Sequence, residues 1–103
     1  MKTITSLRKK IDACDREIVG LLAIRFSLVK TLSRMKKEKG MKMKDHVREH
    51  VVYSNVNKLE CAKRISSAHM HRIYKQIIEA GIQEAETNLK RVKKSKSSLL
   101  TRH

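Results

Sequence analysis

The chain has 103 residues, with 25 Lys/Arg against 10 Asp/Glu, three glycines and no proline. That length allows one domain with a modest core, and the scarcity of chain breakers makes the expected class all-α. No run approaches the 18 or so apolar residues of a membrane span and no charged-then-apolar leader precedes Leu7, so a cytoplasmic protein is expected.

Three helices, one long and two shorter, account for the apolar pattern. The first is expected from about Ser6 to Lys39, where Leu7, Ile11, Cys14, Ile18, Leu21, Leu22, Leu28, Val29, Leu32 and Met35 recur at three- and four-residue steps. Gly40 is a C-terminal stop, and Lys36, Lys37 and Lys39 complement the helix dipole before it. Asp45 reads as the N-cap of the second helix, which carries Val47, Val51, Val52, Val56, Leu59 and Cys61 and is expected to end near Ile65. Ser66 or Ser67 can cap the third, whose stripe is Met70, Ile73, Tyr74, Ile77, Ile78, Ile82, Ala85 and Leu89. At 1.5 Å per residue the first helix is about 50 Å long, more than its two partners can cover. A two-fold homodimer is the expected solution.

The helical domain is expected over residues 1–89. Residues 90–103 carry six Lys/Arg and no acid, lack apolar periodicity, and are expected to form a basic, disordered tail. A second basic concentration runs from Lys30 to Lys44, with Glu38 as its one acidic residue. Such a field favours anionic partners, small or polymeric. Cys14 and Cys61 stand singly in apolar stripes and are expected to be buried, reduced thiols.

Arg25 and Lys36 are eleven residues apart, which returns a helix to within about 20° of the same face. Two cations therefore share an otherwise apolar stripe, and Asp45, Arg48 and Glu49 follow at the start of the next helix. Cations with a few acceptors, set in a helical core, form a pocket for a small polyanion. Arg8 lies about 25 Å along the same helix from Arg25. A small ligand held by Arg25 and Lys36 could reach Arg8 only from a second copy of the chain.

Leu7-Arg8-x-x-Ile11-Asp12-x-x-Asp15-x-x-Ile18, Leu21-Leu22-Ala23-x-Arg25 and Lys36-x-x-x-Gly40-x-x-Met43-x-Asp45-x-x-Arg48-Glu49 together resemble the AroQ class (type II) of chorismate mutases over residues 5–89. The resemblance implies an intertwined, all-α, two-fold homodimer and the Claisen rearrangement of chorismate to prephenate in aromatic amino-acid biosynthesis. Arg25 and Arg8 of the partner chain would bind the two carboxylates of the substrate. Lys36 would bridge a carboxylate and the ether oxygen of the breaking bond, while Asp45 and Glu49 would hold the ring hydroxyl. Arg48 would support the carboxylate end. Lys36, Arg25 and Glu49 are thus the catalytic candidates, and neither metal nor cofactor is implied.

On the third helix the family usually places a small polar residue and, four residues later, a Gln or Glu on the ether oxygen. Here those positions hold Gly81 and Ala85. Two readings follow: the small residues let helices pack closely in a protein of attenuated activity, or they widen the pocket toward other small dicarboxylates. If the lost donor at position 85 limits the rate, Ala85→Gln should raise it.

Two other classes fit parts of the chain. An isochorismate pyruvate lyase uses the same scaffold, although members of that type tend to lack the pair seen as Arg48-Glu49. A basic helical polyanion binder would use residues 30–44 and the tail; with only Phe26, Tyr53 and Tyr74 as aromatic platforms, nucleic-acid binding is at most non-specific. His46-x-x-Glu49-His50 matches a zinc-hydrolase pattern without a third ligand in view, and is read as coincidence.

Overall fold

The computed structural model describes residues 3–101. Helix α1 spans Ile4–Glu38, α2 spans His46–Lys58, a 3₁₀ turn covers Glu60–Arg64, and α3 spans Ser67–Thr101. The expected class and the three helices are present, with differences at three boundaries.

Helix α1 begins two residues before the expected Ser6. Thr3 and Ser6 form a capping box: Ser6 N–H donates to Thr3 Oγ1 and Thr3 N–H to Ser6 Oγ, both at 3.0 Å. Ser6 therefore closes the first turn rather than starting it. At the other end, Gly40 adopts φ 69°, Met41 N–H donates to Lys36 O at 2.8 Å, and Gly40 N–H donates to Lys37 O at 3.1 Å. These two bonds are a Schellman closure, which needs a left-handed residue where Gly40 stands.

Asp45 caps α2 with its Oδ1 accepting from Arg48 N–H at 3.0 Å, and Ser66 caps α3 by accepting from His69 N–H at 3.1 Å. Helix α2 stops at Lys58, earlier than expected, because Leu59 is extended at φ −66°, ψ 136°. The 3₁₀ turn follows, with Ala62 N–H bonded to Leu59 O and Ile65 N–H to Ala62 O, both at 3.0 Å. The chain must reverse here so that α2 can lie on α3, and a helix continued to Ile65 would leave no residues for that turn. Helix α3 stays helical to Thr101, past the end of its apolar stripe at Leu89, since no glycine or proline follows Leu89 to stop it. The Cys61 thiol and the tail side chains beyond Arg91 lie outside the described residues.

Helix α3 is the hub: α1 and α2 both pack on it and not on each other. Gly81 and Ala85 form its close contact with α1. A Cβ on Gly81 would sit 3.5 Å from Phe26 Cδ1, and Ala85 is 1 % exposed. Lys30 Nζ and Glu84 Oε2, 3.8 Å apart, span the same two helices. Among the described residues the buried set is small: Val56, Ile78, Ala85, Gly81 and the polar Ser33.

The molecule measures 68 × 33 × 15 Å, barely more than one helix thick. Ile11, Ile18, Leu21 and Leu28 of α1 are each more than half exposed, and the Cys14 thiol is exposed beside them rather than buried. Among the described residues no helix is long and apolar enough to cross a membrane.

Two stability outcomes follow. Gly40→Ala meets no atom within 4 Å, so its whole cost is the left-handed backbone. Urea denaturation should show a loss of about 1–2 kcal/mol, and an unchanged midpoint would mean that the turn is not held in this form. Ala85→Gln adds a long side chain to the sealed α1–α3 contact, and should cost about 1–3 kcal/mol in the same measurement.

Candidate active site

The end of α1 and the start of α2 bring the predicted polar residues together. Lys36 sits in the last turn of α1, and the turn at Gly40 folds the following loop back over it. Lys36 Nζ donates to Met43 O at 3.4 Å in a half-buried setting. Two residues on, the Asp45 cap fixes the first turn of α2 and so the bases of Arg48 and Glu49. A carboxylate in that first turn is favoured by the unpaired N–H groups of the helix terminus, which Asp45 and Glu49 both exploit.

Arg25, Lys36, Asp45, Arg48 and Glu49 line one cavity of about 150 Å³. Val29 and Leu32 of α1, Val52 of α2, and Ile78 and Ile82 of α3 supply its apolar walls. Three cations thus face two carboxylates across a small, partly apolar space. Such a space suits a compact anion that carries one or two hydroxyl groups: guanidinium forks match carboxylates, and an ammonium serves a single oxygen. The volume is below the roughly 300–1,000 Å³ typical of small-molecule sites.

Three predicted residues lie elsewhere. Arg8 is exposed on the N-terminal part of α1, about 25 Å along the axis from Arg25. Gly81 and Ala85 are buried in the α1–α3 contact and do not line the cavity. The Phe26 ring and the Arg25 guanidinium flank Gly81, and an added Cβ would meet Phe26 Cδ1 at 3.5 Å and Arg25 Nη1 at 3.7 Å, ordinary van der Waals contact. Gly81 therefore borders Arg25 without opening the pocket. The wall that α3 presents is Ile78 and Ile82, each three residues before one of those positions and so turned about 60° from it.

Ser33 lines the cavity as well and is 4 % exposed. The sequence reading passed over it because one serine in an apolar stripe carries no pattern. Its spacing of three residues before Lys36 was the available signal.

Beyond Glu49 a second, larger cavity of about 360 Å³ is lined by Lys44, His46, Tyr53, Lys75, Glu79 and Glu86 among others. The Tyr53 ring stacks on His71 with centroids 4.2 Å apart. Partial burial, then the charges of Glu49 and Glu79, push the Tyr53 hydroxyl above its ordinary pKa, so it stays protonated and able to donate. Three carboxylates around this space oppose an anionic ligand, which separates it from the first cavity. His46 Nδ1 lies 3.6 Å from Glu49 Oε2, and among the described residues no group of three or more His, Cys, Asp or Glu is gathered to hold a metal.

Comparison with known proteins gives the family. Residues 7–86 match the family model of chorismate mutase type II. Over 59 residues the chain is 36 % identical to a protein named chorismate mutase from Methanocaldococcus jannaschii; the match covers 57 % of this chain and 60 % of that relative's length. A family match across most of the chain, coinciding with the helices that build the cavity, establishes that the chain belongs to the chorismate mutase type II family.

Proposed function

We propose that the protein is a chorismate mutase, rearranging chorismate to prephenate as a two-fold homodimer in the cytoplasm, in the service of aromatic amino-acid synthesis. The observation that carries this reading is the convergence of Arg25, Lys36, Asp45, Arg48 and Glu49 on one cavity in a chain of this family. In the rearrangement an ether C–O bond breaks as a C–C bond forms in one cyclic electron shift. No nucleophile, proton donor or redox partner enters, so rate enhancement comes from holding the compact conformer and stabilising the charge that grows on the ether oxygen.

The residues divide those tasks. Arg25 takes one carboxylate as a bidentate fork. Lys36 faces the ether oxygen and a carboxylate oxygen. Asp45 and Glu49 accept from the ring hydroxyl, and Arg48 steadies the carboxylate end. Arg8 of a second copy completes the charge around the other carboxylate. Two observations support the dimer: the uncovered apolar face of α1 and the thickness of 15 Å.

The α3 wall formed by Ile78 and Ile82 offers no side-chain donor to the ether oxygen. Catalysis therefore leans on Lys36 and is attenuated relative to a site with a donor there, a difference of about 10²–10³ in rate where one such donor has been removed from other enzymes. Since Phe26 lies against Gly81, Ala85 is sealed and neither lines the cavity, the small residues serve helix packing rather than a widened pocket, and Ala85→Gln is expected to lower stability without raising turnover.

A prephenate-formation assay tests the reading directly. The purified protein should convert chorismate, and Lys36→Met should lower kcat/KM by about 10²–10³; a wild type that neither binds nor converts chorismate would falsify it. Mixing tests the shared site. Arg8→Ala and Lys36→Ala are each expected to be nearly inactive. Unfolded and refolded together, they should recover about one quarter of wild-type activity, because half the dimers are mixed and each holds one intact site. No recovery would place Arg8 outside the site.

A further inference from the structure

We infer that Ser33 is a substrate-contacting hydroxyl, the donor that stands beside Lys36 where α3 offers only isoleucine. The inference rests on the mutase reading of this cavity and deepens it.

A serine inside a helix ordinarily turns its hydroxyl back onto the carbonyl four residues earlier. Two threonines of this chain do so: Thr31 Oγ1 donates to Ser27 O at 3.2 Å, and Thr87 Oγ1 to Gln83 O at 3.0 Å. Ser33 behaves differently. It is the most buried polar side chain among the described residues, at 4 % exposed. Its hydroxyl has no hydrogen-bond partner among those residues, yet no fully sealed, unsatisfied side-chain oxygen exists among them either. The residue lines two cavities.

Those cavities meet at Ser33. It borders the site cavity of about 150 Å³ together with Lys36 and Met43, and the same three residues border an adjoining groove of about 450 Å³ that runs along Lys37, Gly40 and Glu86. Ser33 and Lys36 stand three residues apart on α1, a spacing that places side chains about 5–6 Å apart at their bases. A hydroxyl and an ammonium so placed can converge on one ligand oxygen or on two neighbouring ones. The ammonium is tethered to Met43 O, which orients it across the mouth of the loop and leaves the hydroxyl as the neutral donor within the stripe.

Energetics support a ligand role over a packing role. An unpartnered hydroxyl in a buried helical position is unfavourable, and alanine is the better helix former there. A residue kept only for packing would be better as alanine, whereas a donor aimed at a ligand explains why the polar group is tolerated.

The test compares wild type with Ser33→Ala and Ser33→Cys, using chorismate turnover, chorismate binding and urea denaturation. The expected result is a fall of about ten-fold in kcat for Ser33→Ala, the size of one hydrogen bond to a developing charge, with KM changed much less. Ser33→Cys, a weaker donor, should fall between. The loss should be the same at pH 6 and pH 9, because a hydroxyl does not titrate in that range, and the urea midpoint should hold or rise. Unchanged kcat in Ser33→Ala, beside an active wild type, overturns the inference and leaves the mutase reading intact. A fall in kcat that tracks a fall in the urea midpoint assigns Ser33 to packing and overturns it too. Wild type without binding or turnover overturns both.

Discussion

The turn at Gly40 governs the placement of the polar cluster. Lys36 belongs to the last turn of α1, and Asp45, Arg48 and Glu49 to the first turn of α2, so their meeting depends on a reversal within a few residues. The left-handed backbone at Gly40 makes that reversal possible, and the Schellman bonds to Lys36 O and Lys37 O satisfy carbonyls that the ended helix would otherwise leave open. The same carbonyl that closes the turn belongs to Lys36. Its backbone therefore terminates the helix while its side chain reaches across the loop to Met43 O. Structural closure and ligand-facing charge are products of one residue.

This arrangement also concentrates charge. Helix α1 ends in Lys36 and Lys37 at its negative pole, α2 begins with Asp45 and Glu49 at its positive pole, and the two poles face each other across the loop. Each terminus stabilises the side chains of the sign it needs, so the cluster of mixed charge costs less to assemble than the same groups would on helix flanks. A surplus of 15 positive charges over the whole chain adds a long-range field that draws an anion toward the cavity.

Which parts of the site can be read from the sequence follows from the range of the interactions that place them. The eleven-residue step from Arg25 to Lys36 is a property of one helix, and Asp45 is placed by its own cap, so both are legible from local rules. The departure of α3 from expectation is not local. Whether Gly81 and Ala85, or Ile78 and Ile82, face the cavity depends on the rotation of α3 against α1, in which the Phe26 ring lies against Gly81. Neither residue announces the contact in its own segment. The early stop of α2 has the same character. Leu59 continues the apolar pattern of its helix, and only the need to lie antiparallel on α3 takes it into extended backbone.

The isoleucine wall alters how the cations act. Ile78 and Ile82, with Val29, Leu32 and Val52, set apolar surface beside Arg25 and Lys36, and lower local polarisability would strengthen each charge–charge interaction with an anion bound there. The same wall supplies no hydrogen bond to oxygen, so the gain falls on every negative charge of the ligand, in ground state and transition state alike. Uniform strengthening tightens binding without lowering the barrier between the two states. A site of this composition would favour holding an anion over accelerating its reaction, unless a fixed charge or dipole points at the one oxygen whose charge changes. Lys36 is flexible and shared with Met43 O. In the proposed reaction that distinction would fall to Lys36 together with the hydroxyl of Ser33, three residues before it on the same helix.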